Sequence, residues 1–177
     1  MAPTLRAAVA GCLLALTAHT APVVVAVAID GVVHPVTAEI VRHAMELARE
    51  RNATALLVRL STPGGMLDAT RDIDQQLLSS PVPVITYVAP GGARAASAGF
   101  FILQAGDIAA MAPGTNTGAA APVVLNQQMD PVMRTKVEND AAALLRSMTA
   151  NRNRNASAAE STVLESKSFT EREALTE

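Results

Sequence analysis

Three groups of residues in this 177-residue chain have the types and spacing that hydrolytic chemistry needs. The first is Ala95-Ala96-Ser97-Ala98-Gly99, a serine flanked only by small side chains, so that a substrate can reach its hydroxyl. It opens an apolar helical pattern, and the amide following such a serine, here that of Ala98, is suited to donate to an oxyanion. The second is Gly64-Gly65, between a predicted strand and a predicted helix. Paired glycines there leave backbone N–H groups unobstructed at the positive end of the helix, which suits a developing negative charge. The third is Lys136. Of the 14 basic residues only Lys136 and Lys167 are lysines, and lysine differs from arginine chiefly in that burial can strip its proton. Lys136 sits one step off the apolar stripe of a long predicted helix, near Val132, Met133 and Ala143. From there its amine could enter a poorly solvated cleft and act as a general base.

Each feature also has a plainer reading. Serine is common at helix starts as a cap, Pro-Gly-Gly makes ordinary tight turns, and a lysine beside a buried stripe can snorkel to solvent. The G-x-S-x-G elbow is incomplete, with Ala95 where its first glycine would stand. Histidine offers no better base: His19 lies in an N-terminal apolar segment, His34 precedes Pro35, and His43 falls on a helix face that suits solvent. The histidines are too scattered for a metal, and Cys12 is the single cysteine, so no metal or other cofactor is expected.

The elements that must position these residues follow from hydrophobic periodicity. Strands are predicted at Val23 to Ile29, read as covered on both faces, and at Ala55 to Leu60, Val84 to Val88 and Ile108 to Met111. Helices are predicted at Val36 to Arg51 with Thr37 as a cap, Leu67 to Leu78, Ala95 to Gln104, about Gln128 to Ala150, and Ala158 to Glu165. The long helix carries the stripe Met133, Val137, Ala141, Leu144 and Met148. Gly114 to Pro122 reads as an active-site loop, too polar and glycine-rich for an element. Strand–helix alternation implies an α/β fold with right-handed βαβ units and a largely parallel sheet, and both candidate motifs fall where such sheets place ligands, beyond the carboxyl ends of strands.

Bulk properties narrow the class further. Half the residues are apolar but only 2% are aromatic, so the core must be built from Ala, Val, Leu, Ile and Met. A net charge of -2 and a pI near 5.9 provide no basic field for a phosphate backbone, so nucleic acid is not an expected partner. Arg6, the apolar run Ala7 to Leu16 and small residues ending at Ala21-Pro22 read as an export signal over 1–21, leaving 22–177 as one domain. The chain stops at Glu177 without a turn or cap, which reads as a C-terminal truncation.

Four segments in order carry a more specific likeness: Ser61-Thr62-Pro63-Gly64-Gly65, Ala95-Ala96-Ser97-Ala98-Gly99, Met111-Ala112-Pro113-Gly114-Thr115-Asn116-Thr117-Gly118-Ala119-Ala120-Ala121-Pro122 and Lys136-Val137-Glu138-Asn139-Asp140. From Val23 to the C-terminus the chain resembles the NfeD family of ClpP-class membrane serine proteases. The resemblance implies a ClpP/crotonase-like fold, a Ser97–Lys136 dyad, an oxyanion hole from the Gly65 and Ala98 amides, and a substrate-binding loop with Gly64, Gly99, Thr117 and Gly118. ClpP carries its catalytic histidine on the segment matching Gly118 to Pro122, where this chain has only alanines between the glycine and the proline. The chain departs from the family at Asn153, where glycine commonly follows the long helix, and family members continue into membrane spans and a small β-barrel. The implied function is a serine endopeptidase cleaving hydrophobic segments of membrane-associated proteins, with stomatin-like partners, a homo-oligomeric state, no cofactor, and its protease domain membrane-associated on the extracytoplasmic side. Two other classes share the fold: a non-catalytic scaffold, and a crotonase-type acyl-CoA enzyme, for which no acid stands near Ser97.

Overall fold

A computed structural model describes residues 21–123 and 129–177. The expected export signal therefore lies outside the described residues, apart from Ala21. A four-stranded parallel sheet, in the order β1 (Val24–Asp30), β2 (Ala55–Ser61), β3 (Val84–Val88), β5 (Ile108–Met111), forms the base of the fold. Three helices follow the strands in turn: α1 (Pro35–Glu50), α2 (Leu67–Leu78) and α3 (Ala98–Ala105). One row of strand residues is buried beneath them. Val25, Ile29, Leu56, Val58, Leu60, Val84 and Val88 share this face through the registers Val25↔Leu56 and Leu56↔Val84. The alternate residues Ala26, Ala28 and Arg59 are exposed. The continuous Val/Ala run of β1 is thus covered on one face only, contrary to the reading of both faces, because every helix of this layer packs on the same side.

A second sheet departs most from sequence expectation. β4 (Arg94–Ala96) pairs in parallel with β6 (Asn116–Gly118), and β6 pairs antiparallel with β7 (Ser168–Thr170). Ala95 and Ala96, expected inside a helix, are strand residues, and Asn116–Gly118, expected in a loop, is a strand. Each is only three residues long, too short to show a period of two. An isolated bridge Thr62↔Ala95 joins this sheet to the end of β2, giving a row Thr62, Ala95, Thr117, Phe169 across the fold. The threonines of that row are buried, and Thr117 Oγ1 donates to Ala95 O at 2.7 Å. Gly99 lets the first turn of α3 settle on this row: a Cβ there would stand 2.6 Å from Thr62 Cγ2 and 3.3 Å from Ala95 Cβ.

The remaining elements are α4 (Pro131–Asn151), α5 (Ala156–Leu164) and α6 (Glu171–Thr176). Pro131 opens α4 behind an Asp130 cap that accepts from the amides of Val132 and Met133. Its buried residues are Ala141, Ala142, Leu145, Met148 and Thr149, so the predicted stripe is right only for the second half of the helix. Val132 and Met133 are 62% and 53% exposed. At 1.5 Å per residue, a helix of this length outruns the body it packs on. α6 was not expected; Thr170 caps it and Glu173 closes the box by accepting from Thr170 N–H at 2.8 Å. Thr37, expected to cap α1, stands one turn inside it, with His34 at the cap position.

One buried group disagrees with the apolar core. Asp74 on α2 is 2% exposed, and neither carboxylate oxygen has a hydrogen-bond partner among the described residues. Burial pushes its carboxyl well above the ordinary 3.8, opposed by the nearby charge of Arg71. The folded state therefore holds a proton that the unfolded chain releases above that ordinary value, and the contribution of Asp74 to stability falls as pH rises beyond it. Asp74→Leu, similar in shape, should stabilise the fold by roughly 1–3 kcal/mol at neutral pH. Thermal melts should show this gain growing as pH rises above the ordinary 3.8; a gain that is absent or independent of pH would show that Asp74 is solvated or paired.

Candidate active site

The nucleophile candidate stands at a junction. β4 ends at Ala96 and α3 begins at Ala98, leaving Ser97 between them with φ 53° and ψ -115°. A non-glycine residue there carries strain of about 1–3 kcal/mol and persists only when its surroundings over-determine it. They do so here. Ser97 N–H donates to Gly118 O at 2.9 Å, Ser97 O accepts from Phe100 N–H at 2.9 Å, and Ala96 N–H donates to Thr62 O at 3.1 Å. The small residues around Ser97 have a geometric cause as well: the side chain of a strand-to-helix elbow projects outward only if nothing crowds the turn.

Gly64 presses on the serine from the other side. Its φ is +123°, and a Cβ built on it would lie 2.7 Å from Ser97 Cβ and 3.2 Å from Ser97 Oγ. Thr62 fixes this turn, its hydroxyl accepting from Gly64 N–H at 3.1 Å. Gly65 is exposed and bridges to Val33: Val33 N–H donates to Gly64 O at 2.9 Å and Met66 N–H donates to Val33 O at 2.9 Å. Among the described residues neither Gly65 N–H nor Ala98 N–H has a backbone acceptor. One lies beside the Gly64 turn that touches Ser97, and the other follows Ser97 at the N-terminus of α3. Thr62 and Val33 had not been singled out from sequence. The Thr-Pro-Gly order is a recognisable signal for Thr62, whereas the pairing of Val33 with Gly65 is non-local and has none.

The other candidates sit less directly. Gly118 is buried, with φ +114°, and uses its carbonyl to hold the Ser97 amide. Thr117 is 3% exposed and spends its hydroxyl on β4, and Gly99 is buried against Thr62. Thr117 and Gly99 are therefore buried in the row of residues beneath the serine. Lys136 is exposed, on the half of α4 that packs against nothing buried, and makes no side-chain hydrogen bond or ion pair among the described residues. Among the described residues no poorly solvated cleft surrounds it. Nearby, Arg71 pairs with Asp140, and Arg134 pairs with Glu138 at 2.8 Å. His34 is exposed at the start of α1, and the side chain of His43 is 78% exposed. A cleft of about 510 Å³ lies between α3, β5, α5 and α6, with neither Ser97 nor Gly65 in its walls.

Comparison with known proteins agrees with this geometry. A family model described as NfeD1b, N-terminal domain, matches residues 23–176. Membrane-bound protease PH1510 of Pyrococcus horikoshii is 40% identical over 131 residues, which is 73% of this chain and 30% of that protein. Membrane protein NfeD1b of Bacillus subtilis is 34% identical over 86 residues, 49% of this chain and 19% of that one. The chain thus spans under a third of the length of these relatives. Among solved structures, a mutant of the 1510-N membrane-bound stomatin-specific protease superposes with a TM-score of 0.82 at 34% identity, covering 89% of this chain and 77% of that one. A second mutant of that protease, in complex with a substrate peptide, gives 0.81 at 35% identity, with coverage of 88% and 72%. With its parallel sheet, its second sheet and its helix-opening serine, this chain has the ClpP-like α/β fold and belongs to the NfeD1b N-terminal domain family.

Proposed function

We propose that this chain is a serine endopeptidase domain in which Ser97 is the nucleophile, the Gly65 and Ala98 amides form the oxyanion hole and Lys136 is the general base. The observation that carries the reading is Ser97, strained at φ 53° between a strand and a helix and pressed by Gly64, with the next amide, of Ala98, and that of Gly65 lacking a backbone acceptor among the described residues. Ser97 Oγ attacks the scissile carbonyl carbon while its proton passes to the neutral amine of Lys136. The carbonyl oxygen takes the electron pair and is held by the two N–H groups. Collapse of the intermediate expels the amine, which receives the proton back from Lys136, and a water deprotonated by the same lysine then releases the acyl-enzyme.

Lys136 reaches this role when the exposed first half of α4 is covered. Val132 and Met133, both more than half exposed beside it, form the apolar surface that a second copy or a hydrophobic substrate segment covers. Supporting a protein substrate is the peptide complex solved for the similar protease, described as stomatin-specific. On that likeness the substrates are hydrophobic segments of stomatin-like membrane proteins. The similar proteins are membrane proteins by name. No helix among the described residues is long and apolar enough to cross a membrane. Export through residues 1–21 would place the domain on the extracytoplasmic side.

A fluorophosphonate probe with mass-spectrometric mapping should label Ser97. Ser97→Ala should lose label and peptide cleavage while melting at the wild-type temperature; full activity in that variant would sink the nucleophile assignment. Lys136→Arg should be as inactive as Lys136→Ala, since arginine keeps charge and reach but cannot give up its proton. Retained cleavage in Lys136→Arg would move the base elsewhere. The two glycines should part company. Gly64→Ala, whose methyl meets the Ser97 side chain at a φ of +123° that strains any L residue, should lower the melting temperature and, where it still folds, slow turnover by about a hundredfold. Gly65→Ala, whose methyl would stand 2.1 Å from Val33 O, should lose the fold first. Circular dichroism beside peptide kinetics checks both, and a folded, active Gly64→Ala would refute the contact.

A further inference from the structure

The helix that presents Ser97 and the Ala98 amide has no C-terminal cap of its own. α3 is eight residues long and ends at Gly106 with no basic residue in its last turn. Its final carbonyls, which need partners from outside the helix, find them in three side chains. Leu103 O accepts from Thr86 Oγ1 at 2.8 Å. Gln104 O accepts from Arg154 Nη1 at 2.7 Å, and Ala105 O from Arg152 Nη2 at 3.2 Å. Gly106 O accepts from both arginines, at 3.3 Å from Arg152 Nε and 2.8 Å from Arg154 Nη2. Both arginines come from the Asn151-Arg152-Asn153-Arg154-Asn155 segment between α4 and α5.

Hydrogen bonding alone does not explain the choice of residues, because neutral amides or hydroxyls could satisfy the same carbonyls. Two guanidiniums side by side repel, and burial together with the charge of Arg152 holds Arg154 below its ordinary value. Asp107 offsets only one charge, pairing with Arg152 at 3.0 Å while its other oxygen accepts from Val84 N–H at 2.8 Å. Arg154 lies outside ion-pair distance of any carboxylate among the described residues and feels Asp107 at longer range, so two guanidiniums face one carboxylate at the C-terminal end of α3. A helix pole there has about half a negative charge, and cancelling it leaves the positive pole at the N-terminus unopposed. Eight residues at 1.5 Å place that pole about 12 Å away, at Ser97 and the Ala98 amide.

We propose that Arg152 and Arg154 are positioning residues for the hydrolysis: they pin α3 at its far end, hold Ser97 in its strained conformation, and strengthen the field of the helix N-terminus at the oxyanion. This rests on the Ser97 reading above.

The test measures the rate of Ser97 acylation by a fluorophosphonate, with kcat and KM for a peptide, in the wild-type chain and in Arg154→Met, Arg154→Gln, Arg154→Lys and Arg152→Met, at a temperature where melts show each folded. Arg154→Met should slow acylation and kcat by about tenfold with KM changed by less than about twofold. Arg154→Lys, which keeps the charge, should recover most of that loss, and Arg154→Gln, which keeps a donor without charge, should not. Acylation of folded Arg154→Met at the wild-type rate, or equal rates for the Lys and Gln variants, overturns the positioning role. Should Arg154→Met fail to fold, the comparison of Arg154→Lys with Arg154→Gln decides, with Arg152→Met as a second arm expected to slow acylation at constant KM and overturning the role if it does not. An unlabelled Ser97 in the wild-type chain overturns the hydrolase reading itself, an outcome distinct from labelling that is indifferent to the arginines.

Discussion

The approach of Gly64 to Ser97 is the constraint on which the rest of the molecule depends. A Cβ on Gly64 would fall 2.7 Å from that of Ser97, so the turn leaving β2 and the turn entering α3 occupy adjoining space with none to spare. That closeness is held from both sides. Thr62 bonds the Gly64 turn and bridges to Ala95, while Gly118 holds the Ser97 amide and Thr117 ties β6 to β4. Small residues recur through these segments because two backbones, a strand row and a helix start converge within van der Waals distance. The same requirement explains why the second sheet is made of such short strands: they serve to fix a turn, and three residues are enough.

Much of the first sheet was legible in the sequence because its strands and helices are long enough to show a period. α2, β3 and β5 fall where hydrophobic spacing put them, and β2 and α1 differ by one residue. The second sheet was not legible. Ala95 and Ala96 carry helix-forming side chains yet pair as strand, since their partners Thr117 and Thr62 are distant in sequence and impose the conformation. Asn153 shows the opposite case. Its departure from a commoner glycine is explained by a φ of 53° just past α4, a left-handed position that asparagine tolerates.

For the site, residue identity carried further than residue environment. Ser97 and the glycine pair stand at turns that lead into helices, as their types suggested, and the amides of Gly65 and Ala98 have no backbone acceptor among the described residues. The surroundings of Lys136 could not be read from spacing. Its apolar neighbours continue the stripe that is buried from Ala141 onward, but a stripe records that a face is apolar, not what lies opposite. Thr117 and Gly99 were assigned to a substrate-binding loop through the family resemblance, which does not carry the burial that both residues have.

The proposed site is therefore built in two parts of different rigidity. One half, the strained serine with the Gly65 and Ala98 amides proposed to hold the oxyanion, is set by backbone hydrogen bonds and close glycine contacts within one chain. Its proposed basic half, Lys136, stands on an exposed stretch of helix open to water. On that reading the serine is held in place within the chain, and covering α4 would raise its reactivity by taking water away from the lysine. Under the proposed dyad, a polar segment touching Ser97 would leave the lysine solvated, whereas an apolar one covering Val132 and Met133 would remove that solvent. The hydrophobic preference proposed for the substrate would then follow from how the base is activated as well as from how the substrate is bound.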